Sequence, residues 1–169
     1  MKLMLGCGRK IPSGWTGVDI DPSLKPEIVD DMSTLSKVQD ETCEEIKSQH
    51  GLEHLLYEDA ILAFGNWFRV LKPGGIVSME LPCLDKCHRM IQSEDARERH
   101  YGTVGLFGDI KSGNLFLIHK HGWSIASLTR ELTKAGFAGI EEAPLERVNN
   151  CARDGYDRDM RIVARRPNA

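Results

Sequence analysis

The feature that most constrains this chain lies at its start, where an apolar run, Leu3-Met4-Leu5, passes directly into Gly6-Cys7-Gly8. A strand ending in paired glycines serves where backbone approaches a ligand more closely than a Cβ permits, and a tight turn without a ligand uses the same pair. Only seven residues, Arg9 to Trp15, then separate Gly8 from a second strand, Thr16-Gly17-Val18-Asp19-Ile20-Asp21-Pro22, which ends in acids. A helical crossover between parallel strands takes about a dozen residues or more, so the first crossover helix must be shortened or missing. The same spacing argues against a nicotinamide-binding unit, whose acid stands roughly 20 residues beyond its glycines.

Further along, Pro26-Glu27-Ile28-Val29-Asp30-Asp31 reads as a third short strand and Glu44-Glu45-Ile46-Lys47-Ser48 as a fourth, ahead of Gln49-His50-Gly51. From Tyr57 to Leu71, apolar residues recur at Ile61, Phe64, Phe68 and Leu71. Glu58 and Asp59 open this segment, and Arg69 and Lys72 lie near its end, which predicts a helix complementing its own dipole. Pro73-Gly74-Gly75 stops it, and Ile76 to Leu81 follows as a buried strand closed by Pro82. Ser124 is placed to cap a helix carrying Ile125, Leu128 and Leu132, with Gly136 at a left-handed terminus. Phe137 to Ala143 and Met160 to Arg165 then read as two closing strands. Strands alternating with helices in this way predict a mostly parallel sheet with helices on its faces. The stretch 83–123 has mixed charge and no clean periodicity, and is expected to be a substrate-facing insertion with some helix in a single domain spanning 1–169.

Composition excludes several classes of function. A chain of 169 residues with 41% hydrophobic and 28% charged content can bury a core without disulfides or a structural metal. A net charge of −3 gives no basic field for holding nucleic acid. No apolar run approaches a membrane span, and the apolar start is too short for a signal peptide. Five cysteines without a regular framework fit a reducing, cytoplasmic compartment, and no disulfides are expected.

Specificity comes from combination. The glycine turn is joined by Asp19 closing the second strand, Asp31-Met32 closing the third, and Arg69-Val70-Leu71-Lys72-Pro73-Gly74-Gly75 ahead of the fifth. With these residues the chain resembles class I S-adenosylmethionine-dependent methyltransferases. It is most similar to a small bacterial and phage group that reads LGCG, a proline-glycine loop, GVDI, an aspartate, LEH, RVLKPGG and a C-terminal AGF. Here these are Leu5 to Gly8, Pro12 to Gly14, Gly17 to Ile20, Asp31, Leu52 to His54, Arg69 to Gly75, and Ala135 to Phe137. The resemblance implies a Rossmann-like α/β fold, its sheet mostly parallel with an antiparallel C-terminal strand. It implies S-adenosylmethionine as cofactor and S-adenosylhomocysteine as product. Gly6 and Gly8 would face the methionine moiety, Asp19 the ribose hydroxyls, and Asp31 the adenine amino group. Met32 would pack beside the adenine ring and backbone around Gln49 would hold the methionine amine, with Cys7 and Ile20 completing the cofactor-binding set. Helix capping by Asp19 or Asp31, and core packing by Met32, are the alternatives these residues leave open. Larger relatives carry a covering helix before the first strand. Its absence here would leave part of one sheet face bare, which invites a homodimer.

Methyl transfer from a sulfonium is a direct displacement, so the protein mainly positions the acceptor and removes a proton where one must leave. The resemblance puts the loop Gln49-His50-Gly51 beside the methyl group. His50 is the candidate base, because histidine is the side chain whose unperturbed pKa lies near neutrality, and lining the cofactor pocket is its other reading. The loop lacks the Asn/Asp-Pro-Pro-Tyr signature of amino methyltransferases. Pro82-Cys83 stands after the fifth strand, not the fourth, so Cys83 is read as structural. His50-Gly51-Leu52-Glu53-His54 matches a zinc-protease pattern only on a helix, which Gly51 disfavours. Plant small-RNA 2′-O-methyltransferases bind a divalent ion through Glu-x-x-Glu-His and a later histidine. The resemblance to them carries Glu53, His54, and His119 or His121, with His50 in place of the first glutamate. The expectation is a metal-free enzyme, with a metal-dependent O-methyltransferase as one alternative and a catalytically silent cofactor-binding module as another. The insertion supplies Arg97, Arg99, His100, Tyr101, His119, Lys120, His121 and Trp123, donors that suit a small or glycan-like acceptor methylated on a hydroxyl.

Overall fold

The computed structural model describes residues 1–9, 11–146 and 149–168, with the backbone alone at Phe116. Its strands are β1 (Lys2–Leu5), β2 (Thr16–Asp19), β3 (Ile28–Val29), β4 (Cys43–Gln49), β5 (Leu71–Pro82), β6 (Ala138–Glu142) and β7 (Asp159–Arg165). They form one sheet in the order β3-β2-β1-β4-β5-β7-β6. The first five strands pair in parallel, and β7 runs antiparallel between β5 and β6. This is the fold class the sequence predicts.

No described residue between β1 and β2 is helical, and the link is a turn in which Trp15 donates its N–H to the Pro12 carbonyl. Between β2 and β3 there is a single 3₁₀ turn, Pro22–Leu24, capped by the Asp21 carboxylate. β3 is shorter than expected: Asp30 still donates its N–H to the Asp19 carbonyl, but the Asp30 and Asp31 carboxylates then accept from the backbone of the following turn, at Lys37 and Ser33 respectively.

The helices are α1 (Tyr57–Val70), α2 (Leu84–Met90), α3 (Ala96–Phe107), α4 (Ile125–Lys134) and α5 (Asn150–Arg153). The buried stripe of α1 differs from the one its periodicity predicts. Ala60, Ala63, Phe64, Trp67 and Val70 face inward, while Ile61 is exposed and Phe68 half-buried. Trp67 can turn inward because its indole N–H has an acceptor there, the Met32 carbonyl at 2.7 Å, and because Phe64 packs edge-on between Trp67 and Trp123. Leu71 is buried too, but as the first residue of β5, which starts there and not at Ile76; a register shift absorbs the Pro-Gly-Gly segment. Ser124 caps α4 in a reciprocal arrangement with Ser127, and Gly136 follows the helix at φ +100°, as predicted.

α1 and α4 cover one face of the sheet, where Leu3, Leu5, Ile46, Val77, Met79, Leu81 and Ile162 join one core. Side chains alternate along strands, so the opposite face carries Lys2, Glu45, Lys47, Ser78 and Arg161. Lys2 pairs with Glu45, Lys47 and Arg161 share Glu146, and the Trp15 ring lies 5.5 and 4.8 Å from the Lys2 and Lys47 ammonium groups.

Candidate functional site

The C-terminal ends of parallel strands form a crevice, and in open α/β sheets that is where ligands bind. Here the ends of β1, β2, β3 and β4 surround a cavity of about 470 Å³ whose lining includes Gly6, Gly8, Asp19, Ile20, Asp31, Met32 and His50. A second cavity of about 750 Å³ adjoins it, sharing Gly6, Gly8 and His50, and is lined by Cys7, Arg9, Gln49, Asn149, Asn150 and Arg153 among others.

Gly6 and Gly8 both stand at φ +58°, a conformation costly to any residue with a Cβ. A Cβ at Gly8 would project into open space, and one at Gly6 would sit 3.8 Å from the Met32 sulfur. The pair therefore shapes a cradle, and its glycines answer to backbone conformation before any steric limit. Asp19 holds this cradle: one carboxylate oxygen accepts from the Gly8 N–H at 2.9 Å and the other from the Asp21 N–H at 3.1 Å. Asp31 accepts from the Ser33 N–H at 2.8 Å, while the buried neighbour Asp30 accepts from Asp31, Ser36 and Lys37. The aspartates thus cap turns and also line the cavity, and each carboxylate oxygen retains a second lone pair for a ligand.

Helix α1 fixes the wall that carries Met32. Asn66 donates to the Ser33 carbonyl and Trp67 to that of Met32. Arg69 donates to the carbonyls of Thr34, Leu35 and Val38. The arginine of the Arg69 to Gly75 motif is thereby explained as a staple for the 32–38 segment. Met32 is half-buried, packing on the core while its sulfur borders the cavity. Cys7 turns toward the other cavity. Its sulfur packs against Gly17, where a Cβ would come within 2.8 Å of it, and burial pushes the thiol up to about 11.

His50 stands just past the end of β4 at φ +53°, its N–H bonded to the Glu80 carbonyl. Its Nδ1 lies 3.2 Å from a Glu53 carboxylate oxygen and its Nε2 3.5 Å from Asp159. Both carboxylates are buried. Asp159 is engaged by Arg158 at 2.6 Å and by the Asn149 amide. Burial pushes its carboxyl up, but the Arg158 hydrogen bond and charge outweigh this and hold it below the usual carboxylate range. Glu53, within the 3₁₀ turn Leu52–His54, also approaches His119 Nε2 at 3.9 Å. Burial lowers the His119 imidazole from its ordinary value against the opposing charge of Glu53. His50 lies in no helix with His54, which removes the zinc-protease geometry.

The insertion residues divide. Lys120 lines the first cavity together with Asn114 and Leu117. Trp123 is core, and His121 packs on Trp123 and Tyr57. Arg97 and Tyr101 meet Asp154, while Arg99 bonds the carbonyls of Ser93 and Glu94. Cys83 is buried in the core, His88 is exposed, and each of the five cysteines is free and buried. No helix among the described residues is long and apolar enough to cross a membrane.

Asp159, Arg158 and Asn149 carry no motif, and β7 was expected from Met160 onward. They reach the site because Pro82 at the end of β5 pairs with Asp159, a tertiary juxtaposition without a local signal.

No family model and no curated relative matches the sequence. Solved structures do. The chain superposes on an S-adenosylmethionine-dependent methyltransferase from Methanosarcina mazei with a TM-score of 0.68 and 19% identity, covering 99% of this chain and 92% of that one. It matches a possible exported protein from Bordetella parapertussis with a TM-score of 0.65 and 13% identity, over 98% of this chain and 61% of that one. It matches phosphoethanolamine N-methyltransferase 2 from Haemonchus contortus, in complex with S-adenosyl-L-methionine, with a TM-score of 0.59 and 13% identity, over 99% and 48%. The chain thus spans less than two thirds of the second and third proteins, and the fold it shares with the first and third is the Rossmann-like one of class I S-adenosylmethionine-dependent methyltransferases.

Proposed function

We propose that this protein binds S-adenosylmethionine in the first cavity and transfers its methyl group to a hydroxyl of a small or glycan-like acceptor held in the second. The observation that carries the reading is the convergence of the Gly6 and Gly8 cradle with the Asp19 and Asp31 carboxylates on one cavity at the strand ends. Asp19 suits a vicinal diol and Asp31 an exocyclic amine, because both are acceptors positioned by their own turns. Ile20 and Met32 supply apolar contact beside them, while Cys7 and Gln49, which line the second cavity, border the methionine end of the cofactor with their backbone where the two cavities adjoin. When bound, the sulfonium supplies the electrophilic methyl group.

The second cavity supports a hydroxylated acceptor, since Gln49, Asn149, Asn150 and Arg153 offer donors and acceptors around it. His50 stands where the two cavities meet. With Nδ1–H directed at Glu53, the ring keeps its lone pair on Nε2, the arrangement of an oriented general base. The acceptor's hydroxyl proton passes to Nε2 as its oxygen takes the methyl, and Asp159 faces the imidazolium so formed.

Calorimetry with S-adenosylhomocysteine tests the reading. The protein should bind it, and Asp19→Ala should weaken binding by about 1.5–3 kcal/mol, roughly 10–150-fold, through lost charge-assisted hydrogen bonds. Absence of binding at millimolar ligand rules the proposal out.

A further inference from the structure

We propose that the acceptor in the second cavity carries an anionic group, a carboxylate or a phosphate, held by Arg9 and Arg153 while its hydroxyl meets His50. This deepens the methyl-transfer reading and rests on it. The two cavities differ in charge. Five aspartates, Asp19, Asp21, Asp30, Asp31 and Asp59, line the first. Among the described residues no acid lines the second, whose walls carry Arg9 and Arg153 with His50 at the junction. Asp159, behind His50, already has the Arg158 guanidinium as its counterion. In a chain of net charge −3, a cavity with two guanidinium groups and no carboxylate sets a local positive potential against the overall field.

The pairing of the arginines gives an independent observation. Arg69, Arg97, Arg130, Arg158, Arg161 and Arg166 each meet a carboxylate. Arg9 and Arg153 are exposed, and among the described residues neither side chain has an ion-pair or hydrogen-bond partner. The Asp21 carboxyl is lowered chiefly by its hydrogen bonds with Ser23, and the Arg9 charge is the least of its causes. Each arginine is carried by a segment tied to the site. Arg9 follows Gly8, whose N–H donates to Asp19 at 2.9 Å. Arg153 ends α5, which Asn149 fixes twice: its side-chain oxygen accepts the Ala152 N–H at 3.0 Å, and its amide nitrogen donates to Asp159. Cys151 of the same turn is buried. Because Asp159 also faces His50, one short scaffold sets both the Arg153 backbone and the imidazole.

A guanidinium presents paired N–H donors whose fork matches the edge of a carboxylate or phosphate. Gln49 and Asn150 line the same cavity and add neutral donors and acceptors for the hydroxyls of the acceptor. The acidic first cavity suits a cofactor that bears a sulfonium, and the second suits an anion, so the two ligands attract one another across the junction at His50. The competing occupant for the arginines is the carboxylate of the cofactor itself, and the test separates the two.

The test titrates the full-length protein, saturated with S-adenosylhomocysteine, with glucose 6-phosphate, glucuronate and glucose, and separately titrates the nucleoside-free protein with inorganic phosphate and with acetate. Both charged sugars should bind more tightly than glucose, and the tighter of the two tells a phosphate from a carboxylate acceptor. Arg9→Gln and Arg153→Gln should each weaken anion binding by about 10-fold, the scale of one charge-assisted hydrogen bond partly exposed to water. Arg89→Gln, an exposed arginine that lines neither cavity, should leave it unchanged. Equal affinity for charged and neutral sugars overturns the proposal. For an acceptor of another skeleton, the phosphate and acetate titrations decide: binding in the millimolar range that depends on both arginines supports the site, and its absence overturns it. Lowered affinity of the Arg9→Gln and Arg153→Gln variants for S-adenosylhomocysteine, with unchanged affinity for 5′-methylthioadenosine, which lacks the amino-acid carboxylate, assigns the arginines to the cofactor and overturns the proposal. Intact nucleoside binding without anion binding defeats this proposal alone, whereas absence of nucleoside binding defeats the methyl-transfer reading.

Discussion

The two halves of the groove use carboxylates in opposite ways. On the side of Asp19 and Asp31, each acid accepts from backbone N–H groups a few residues away in sequence, save for the Gly8 contact, and stays partly open to solvent. On the side of His50, Glu53 and Asp159 are buried and meet imidazole, guanidinium and amide groups, and two of these contacts, His119 with Glu53 and His50 with Asp159, join distant parts of the chain. The first half is preformed by local turns and has acceptor capacity to spare. The second is a network in which charges stabilise one another and orient rings, so its members should fail together while leaving the first half intact.

The largest effect expected from that division is kinetic. Once an acceptor is in hand, His50→Ala should lower kcat by about 10²–10⁴-fold while S-adenosylhomocysteine affinity holds. A parallel loss of nucleoside affinity would break the comparison. A smaller effect is expected at Asp159, whose substitution by Asn should cost about 1–3 kcal/mol in urea unfolding at neutral pH, because Arg158 loses its charged partner. Its carboxyl is held below the usual range when folded, so this contribution is present above about pH 4 and is lost as pH falls through the lowered folded value. The gap between Asp159→Asn and the unaltered protein should therefore narrow in acid, and a gap independent of pH would show that charge is not its source. The smallest effect belongs to Gly8→Ala, expected to cost about 1–2 kcal/mol in stability from its left-handed backbone. Its Cβ also enters the cradle, so nucleoside affinity should fall while the Asp159 acid dependence persists.

The same division explains what the sequence disclosed. Gly6, Gly8, Asp19 and Asp31 were legible because strand-end glycines and acids act through neighbours a few residues off, and the shortened first link could be counted directly. The stripe of α1 was misread because periodicity ranks residues by apolarity, whereas Trp67 turns inward for a carbonyl supplied by Met32, outside its helix. β5 could not be started at Leu71 from a Pro-Gly-Gly signal, since only pairing with Cys43 extends the ladder past the bulge. Of the two partners of His50, one is local and one is not. Glu53 stands three residues on, within the segment the sequence singles out, whereas Asp159 is fixed by antiparallel pairing with Pro82 and carries no local signal.

The slender edge of the sheet has a consequence in time as well as in space. β3 contributes two residues, paired as Val18 with Ile28 and Asp19 with Val29, and among the described residues no α-helix lies in the links on either side of β2. Asp19 and Asp31 ride on this edge. Elements with few buried contacts are the first to open in native-state fluctuations, and their amides exchange fastest with solvent. A nucleoside bridging the two aspartates would then rigidify the strands that hold it, making recognition and ordering of the edge one thermodynamic event.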